Sequence, residues 1–205
     1  MVSRIILQCH KPHIANVVNP CQVGFVPGRW MSDNIILVQE IIIKTLTHKR
    51  GGQDYVALKL DIDKVYDRLE WPFIKELLEF FQVLPNLIML IMNMISSTSY
   101  QIQWNGALLL EVIPSRGVRQ GDPLSLYLFI MCLKCLSLML EEAVWDKLIH
   151  PIGFRGQVWI SHLFFTDDIF LFTKAKVMAC QNLSRVIQQF CHCSSQIMST
   201  YKSRI

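Results

Sequence analysis

The chain has 205 residues, is 52% hydrophobic and 18% charged, and carries a formal net charge of +4, so it can hold one sizeable domain or two small lobes around a real core. Its two most apolar stretches are interrupted, one between Leu77 and Ile95 by Glu79, Gln82, Pro85 and Asn93, the other between Leu124 and Leu140 by Lys134; buried helices fit them better than membrane spans, which want about 20 almost uninterrupted apolar residues. Seven cysteines, an odd number, fit free thiols rather than a disulfide framework, and the mild positive charge permits a nucleic-acid partner without requiring one.

Residues 3–18 pattern as a helix with apolar positions at Ile5, Ile6, Ile14, Val17 and Val18. The run Ile5-Ile6-Leu7 is too short for a signal peptide and no small-residue cleavage site follows it, so an intracellular, reducing compartment is expected. Turns follow at Asn19-Pro20 and at Pro27-Gly28-Arg29. Ser32 or Asp33 is placed to cap a helix running through Ile35, Val38, Ile41 and Ile42 to Leu46, and Lys49 to Asp54 is a polar loop.

Tyr55 to Leu60 reads as a short strand ending at Asp61, and helices follow at about 71–81 and 86–96. Asn105-Gly106, between Tyr100 to Trp104 and Leu108 to Ile113, is a two-residue hairpin signal. Pro123 opens a long apolar helix to about Trp145. A second hairpin pairs Ile160 to Phe164 with Ile169 to Thr173 around Thr166-Asp167-Asp168, and a last helix covers about 176–192. Helices, strand, helices, strands, helix is the order of an α+β fold rather than an alternating βαβ one.

Three acids stand out by context. Asp61 ends an apolar strand, and Asp167-Asp168 sit between Leu163-Phe164-Phe165 and Ile169-Phe170-Leu171-Phe172. If the hairpin tip lies beside the end of the first strand, two or three carboxylates share one small volume. Like charges that close repel, and such clusters usually hold divalent cations. Hard oxygen ligands suit magnesium, and two such ions serve phosphoryl transfer. The bland reading is a polar turn, since Asp is a common turn residue. Likewise Pro114-Ser115-Arg116-Gly117-Val118-Arg119-Gln120-Gly121-Asp122-Pro123 reads either as an ordinary basic loop or as a glycine loop before a helix N-terminus, suited to phosphate or a nucleotide.

In order along the chain, these segments resemble the reverse transcriptases of plant LINE-type (non-LTR) retrotransposons. Asn19-Pro20-Cys21-Gln22-Val23-Gly24-Phe25-Val26-Pro27-Gly28-Arg29, with Asp33-Asn34 after it, is similar to that family's early fingers motif. Ala57 to Trp71 resembles its first catalytic motif, Ser115 to Ser125 its template-and-nucleotide loop, and Phe165-Thr166-Asp167-Asp168 its catalytic acid pair. Ser194-Ser195-Gln196 through Lys202-Ser203 resembles the next palm motif.

The resemblance implies a right-hand polymerase of α+β class, an antiparallel palm sheet with packed helices plus helical fingers. Residues 1–56 would be fingers and residues 57–205 palm, in one continuous, truncated domain. The implied activity is RNA-directed DNA polymerisation, in which a primer 3′-hydroxyl attacks the α-phosphate of a dNTP. Asp61 and Asp167 would bind both of two Mg²⁺ ions, with Asp168 assisting and Mn²⁺ able to substitute. Tyr66 would stack under the incoming sugar and select deoxynucleotides. Gln120 and Gly121 would line the nucleotide and template pocket, and Arg29 and Lys59 would contact triphosphate or template.

The implied partners are an RNA template, a DNA primer and dNTPs, with no membrane. The family's thumb would follow Ile205, and an endonuclease precedes this region in the longer polyprotein. Nuclear DNA is where such an enzyme works. Four positions depart from the family pattern. Val65 and Thr166 stand where alanine is usual, Lys134 where an acid is usual, and Ser195 where glycine is usual. A catalytically inactive remnant, or a nucleic-acid-binding module of the same fold, is the alternative reading.

Other signals read as structural. Cys132 and Cys135 form a CxxC within an apolar helix, without a second pair at zinc-ribbon spacing. His150 and His162 have no evident metal partner, and Met89, Met92 and Met94 suit core filling. Trp104 and Trp159 are expected to pack on their sheets rather than to stack on bases.

Overall fold

The computed structural model describes residues 2–6, 8, 22, 28, 30–47, 54–154, 158–165, 168–199 and 201–204. In chain order the elements are α1 (Met31–Thr47), β1 (Tyr55–Asp63), α2 (Val65–Arg68), α3 (Trp71–Phe80), α4 (Pro85–Ser96), β2 (Tyr100–Trp104) and β3 (Ala107–Val112). There follow α5 (Pro123–Trp145), β4 (Ile152–Phe154), β5 (Val158–Ile160), β6 (His162–Phe165), β7 (Asp168–Lys174), α6 (Val177–Ser194) and β8 (Ile197–Met198). Four strands make the main sheet in the order β6-β7-β1-β8, while β2-β3 and β4-β5 are separate two-stranded ribbons.

The strand sequences assign the faces of this sheet. Successive side chains of a strand point to opposite sides. In β1, Leu58, Leu60 and Ile62 enter the larger core with Ile169 and Leu171 of β7 and Phe164 of β6. The alternate residues Tyr55 and Ala57 join a second, smaller core with Phe170, Phe172 and Leu163. Lys59, Asp61 and Asp63 follow Ala57 on that second side. There α1 contributes Val38 and Ile41, and the β4–β5 ribbon contributes Ile152 and Ile160.

The larger core is built around α5. Asp122 caps it by accepting a hydrogen bond from the Leu124 amide (2.9 Å), and Pro123 occupies the first turn, where a missing N–H costs nothing. The helix is apolar all round, which suits a fully packed position. Leu128, Phe129, Met131, Cys132, Leu133, Leu136 and Leu140 are all at most 2% exposed. By length and composition alone α5 is long and apolar enough to cross a membrane, Lys134 notwithstanding. Here 61% of its most apolar window is buried inside the protein, against α3, α6, α2 and β6.

The Asn105-Gly106 turn forms with both residues at positive φ (48° and 82°), as a two-residue hairpin of this type requires. The helices expected at 71–81 and 86–96 are α3 and α4, and the long helix from Pro123 ends at Trp145. Four features differ from expectation. β1 runs two residues past Asp61 because β8 pairs with Ile62 and Asp63. The β4–β5 ribbon was not anticipated, since its strands have only three residues each. Trp104 and Trp159 are 67% and 68% exposed; β2–β3 has both faces exposed along its whole length, so no sheet packing covers Trp104. Met92 and Met94 do pack on the core, whereas Met89 is exposed. Of the helix expected over 3–18, residues 3–6 and 8 are helical and 7 and 9–18 lie outside the described residues, as do 48–53 of the loop after α1.

Candidate active site

The two strands that carry the acids are neighbours. β1 and β7 pair antiparallel in a register that sets Asp61 directly opposite Asp168, with Leu60 opposite Ile169 and Lys59 opposite Phe170. Directly opposed residues of an antiparallel pair project to the same face. Asp61 and Asp168 therefore share the side of the sheet away from α5, two register positions beyond Lys59. Asp61 is 9% exposed as a residue, and Asp168 is half-buried.

Like charges directly opposite one another destabilise a sheet, and each acid here has its own cation. Lys59 Nζ lies 2.8 Å from Asp168 Oδ2, and Lys202 Nζ donates to Asp61 Oδ1 at 3.2 Å. Lys202 arrives because the segment after β8 stays on the free edge of β1. The Ser199 amide donates to the Asp61 carbonyl (2.8 Å), and Lys59 and Arg204 exchange both backbone hydrogen bonds (2.8 and 2.9 Å). Asp63, next on the same face, pairs with Arg68 of α2 at 3.7 Å.

The glycine-containing loop docks on the turn that follows β1. Lys64 takes a left-handed conformation (φ 49°) and starts α2. The Val118 amide donates to the Tyr66 carbonyl and the Gly117 amide to the Leu69 carbonyl, both at 2.8 Å. Trp71 Nε1 donates to the Gly117 carbonyl, also at 2.8 Å, and Arg116 pairs with Glu70 at 3.4 Å. Gly117 is required there: its φ is +85°, and a Cβ would lie 2.9 Å from the Asp67 carbonyl oxygen. Beyond this anchor Gln120 and Gly121 are exposed, ahead of Asp122 and the start of α5. Asp122 also accepts from Ser3 Oγ at 3.0 Å. A cavity of about 230 Å³ beside the loop is lined in part by Arg119, Asp122, Ser125 and Thr98.

Of the residues singled out in the sequence, the fold thus brings Asp61, Asp168 and Lys59 to one face. Tyr66 sits half-buried at the foot of the loop, its ring 5.8 Å from that of Phe129. Gln120 and Gly121 are on the loop itself. Asp167, Thr166 and Arg29 lie outside the described residues. Lys202 was not singled out as a site residue. The resemblance to a palm motif placed it in this region, but no spacing rule relates position 202 to position 61. Gln196 is a second such residue: buried, it donates from Nε2 to the Val65 carbonyl at 3.2 Å and ties the end of α6 to the start of α2.

Carboxylates alone, without thiol or imidazole, form a donor set for a hard divalent cation, so Asp61 and Asp168 fit such an ion. Among the described residues no three His, Cys, Asp or Glu side chains group closely enough to hold a metal by themselves. His162 and Cys132, set aside from the site, are packing residues. His162 is 2% exposed and lies between Ser137 Oγ (3.0 Å from Nε2) and Ser161 Oγ (2.8 Å from Nδ1). Burial, aided by Lys134, pushes its pKa down to about 4. Cys132 is fully buried, and burial, with Cys135 and Cys191 nearby, raises its thiol well above the usual range.

This sheet, with its acids on the face away from α5, is the palm of a right-hand polymerase. The chain belongs to the reverse transcriptase (RNA-dependent DNA polymerase) family, whose model matches residues 1–205. That family is generally dependent on divalent metal. The chain is 28% identical over 142 residues to a 149 kDa protein of the Xenopus laevis transposon TX1, covering 69% of this chain and 11% of that one. It is 27% identical over 159 residues to the retrovirus-related Pol polyprotein of a type-2 retrotransposable element of Drosophila melanogaster, covering 78% of this chain and 14% of that one. An uncharacterized mitochondrial protein of Arabidopsis thaliana is 46% identical over 65 residues, 31% of this chain and 53% of that one. The chain thus spans only a small part of the two retroelement relatives' length. In fold it is similar to apo telomerase from Candida tropicalis truncated from its C-terminal domain, with a TM-score of 0.66 at 13% identity, covering 98% of this chain and 39% of that one. Telomerase from Candida albicans in complex with a fragment of telomeric RNA gives a TM-score of 0.64 at 16% identity, covering 99% and 34%.

Proposed function

We propose that the chain is the fingers-and-palm core of an RNA-directed DNA polymerase of a non-LTR retrotransposon. The observation that carries this reading is the β1–β7 register, which sets Asp61 against Asp168 on the sheet face away from α5. Residues 1–56 are taken as fingers and residues 57–205 as palm. The reaction joins a primer 3′-oxygen to the α-phosphorus of a dNTP and breaks the α–β phosphoanhydride, releasing pyrophosphate and the hydroxyl proton. Asp61, Asp167 and Asp168 would hold two Mg²⁺ ions, which when bound activate the hydroxyl and stabilise the departing oxygen.

The remaining roles fall to the chain's own side chains. Tyr66, fixed at the foot of the glycine loop, would lie under the incoming sugar and exclude a 2′-hydroxyl. Gln120 and Gly121 offer an exposed loop beside a helix N-terminus, a setting suited to nucleotide and template phosphate. Arg29 would contact triphosphate or template, and Lys59 would do so from beside Asp168. The partners would be an RNA template, a DNA primer and dNTPs, together with the thumb and endonuclease regions of a longer polyprotein. The work would be done inside the cell at nuclear DNA.

Primer extension on an RNA template with Mg²⁺ or Mn²⁺ tests the reading, with the purified chain beside its Asp167→Asn/Asp168→Asn form. Extension by the native chain that disappears in the double variant supports it. Equal failure of both folded proteins would leave a nucleic-acid-binding remnant instead, which salt-sensitive RNA binding without metal dependence would identify.

A further inference from the structure

We infer that Gln196 is a positioning residue for sugar selection: its buried side-chain amide clamps the peptide bond before Tyr66 and so fixes the ring set against the 2′-position of an incoming nucleotide. This rests on the polymerase reading above and extends it to a residue outside the acid cluster. Gln196 is 1% exposed, and its Nε2 donates to the Val65 carbonyl at 3.2 Å across 131 positions of chain. Its Oε1 is buried with no hydrogen-bond partner. An amide oxygen buried in that way is destabilising, so the donated bond is what this side chain contributes.

The Val65 carbonyl belongs to the peptide unit whose nitrogen is that of Tyr66. The unit on the other side of Tyr66 is held as well, because the Tyr66 carbonyl accepts from the Val118 amide at 2.8 Å. Both peptide planes flanking the Tyr66 Cα are therefore tied to distant segments, one at the end of α6 and one in the glycine loop. Two fixed planes leave little freedom in φ and ψ, and the direction of the side chain follows from them. The ties matter because α2 has only four residues, too few for a helix to hold itself. The ring then leans on Phe129 of α5, with 5.8 Å between centroids and an interplanar angle of 58°.

Gln196 is itself anchored on both sides. Its backbone amide donates to Ser194 Oγ at 3.4 Å, and Ser194 Oγ donates to the Phe190 carbonyl at 2.6 Å. The next residue, Ile197, pairs with Asp63 as β8 joins the sheet. A wall that merely excludes an added hydroxyl discriminates by about 100-fold, and only while it stays in place, since a displacement of about 1 Å is enough to matter. Without the Gln196 amide the Val65–Tyr66 peptide is free to rotate, and the wall yields to a ribose.

The test compares the native chain with Gln196→Met, which keeps the length of the side chain and removes the donor. It reads amide hydrogen exchange, and primer extension with a deoxynucleoside triphosphate against the matching ribonucleoside triphosphate. Exchange at the amides of 65–69 and of Val118 is expected to quicken by about tenfold or more, with α3 and α5 at native rates. The ratio of kcat/KM for the deoxynucleotide over the ribonucleotide is expected to fall by about tenfold, through a lower KM for the ribonucleotide. Tyr66→Val should lower the same ratio, and Gln196→Met/Tyr66→Val should lower it no further. Native exchange at these amides in Gln196→Met overturns the inference while leaving the polymerase reading intact, as does an unchanged ratio. A native chain that extends no primer overturns the polymerase reading, and the exchange result then still decides whether Gln196 holds Tyr66. Gln196→Leu, which also lacks the donor, decides the point should Gln196→Met not fold.

Discussion

The two faces of the main sheet differ in kind although they are made of the same strands. On the helix side, Leu58, Leu60 and Ile62 meet Ile169, Leu171 and Phe164 under α5 and α6 in a nearly dry core. On the other side the same strands carry Lys59, Asp61 and Asp168, where charge is compensated by ion pairs rather than removed by burial. Strand alternation places stability and chemistry one residue apart. Between Leu58 and Asp63 a change at an even-numbered position of β1 is felt as packing and one at its odd-numbered neighbour as charge.

The largest expected break in this contrast is on the dry face. Phe164 is fully buried there, and Phe164→Ala should cost about 3–5 kcal/mol in urea unfolding, the usual loss for a buried aromatic. A polar insertion on that face gives the next effect. His162 lies beside Phe164, its ring centroid 4.9 Å away, with its pKa lowered to about 4. The unfolded chain protonates near pH 6.5 while the folded chain does not, so the stabilising contribution is complete above that pH and is lost as pH falls toward about 4. Over that window unfolding measurements should show a decline of up to about 3 kcal/mol, and His162→Gln should flatten it.

Two glycine-related changes sharpen the picture at smaller scale. Gly117→Ala combines a positive φ with a Cβ 2.9 Å from the Asp67 carbonyl and should cost about 2 kcal/mol while loosening the loop that carries Gln120. Ser195 holds the left-handed cap of α6 at φ 55°, a conformation glycine adopts freely. Ser195→Gly should therefore raise stability by about 1 kcal/mol, visible as a higher melting temperature. The same geometry explains why glycine is usual at that position.

Local chemistry made much of this fold legible. Asn105-Gly106 specified its hairpin, Pro123 the start of α5, and the β-rich run from Tyr55 to Leu60 the strand that carries Asp61. The ribbon of β4 and β5 was not legible, because three-residue strands carry too little periodicity to read. For the site, the types and order of Asp61, Tyr66, Gln120, Gly121 and Asp168 were readable. Their counter-ions were not. Lys59 and Asp168 are 109 positions apart, and Lys202 and Asp61 are 141 apart. Each contact depends on a register that only the assembled sheet defines. The αL geometry at Ser195 was likewise invisible, although the departure from glycine marked the position.

The most direct test of the division between faces makes two measurements on one variant, Asp61→Asn. With this acid neutralised, the account predicts an unfolding free energy in urea within about 1 kcal/mol of the native chain, since one like-charge repulsion and one part-buried ion pair are lost together. It also predicts that primer extension by the native chain on an RNA template disappears in the variant. Extension that survives the substitution, or that is lost together with the fold, would contradict it.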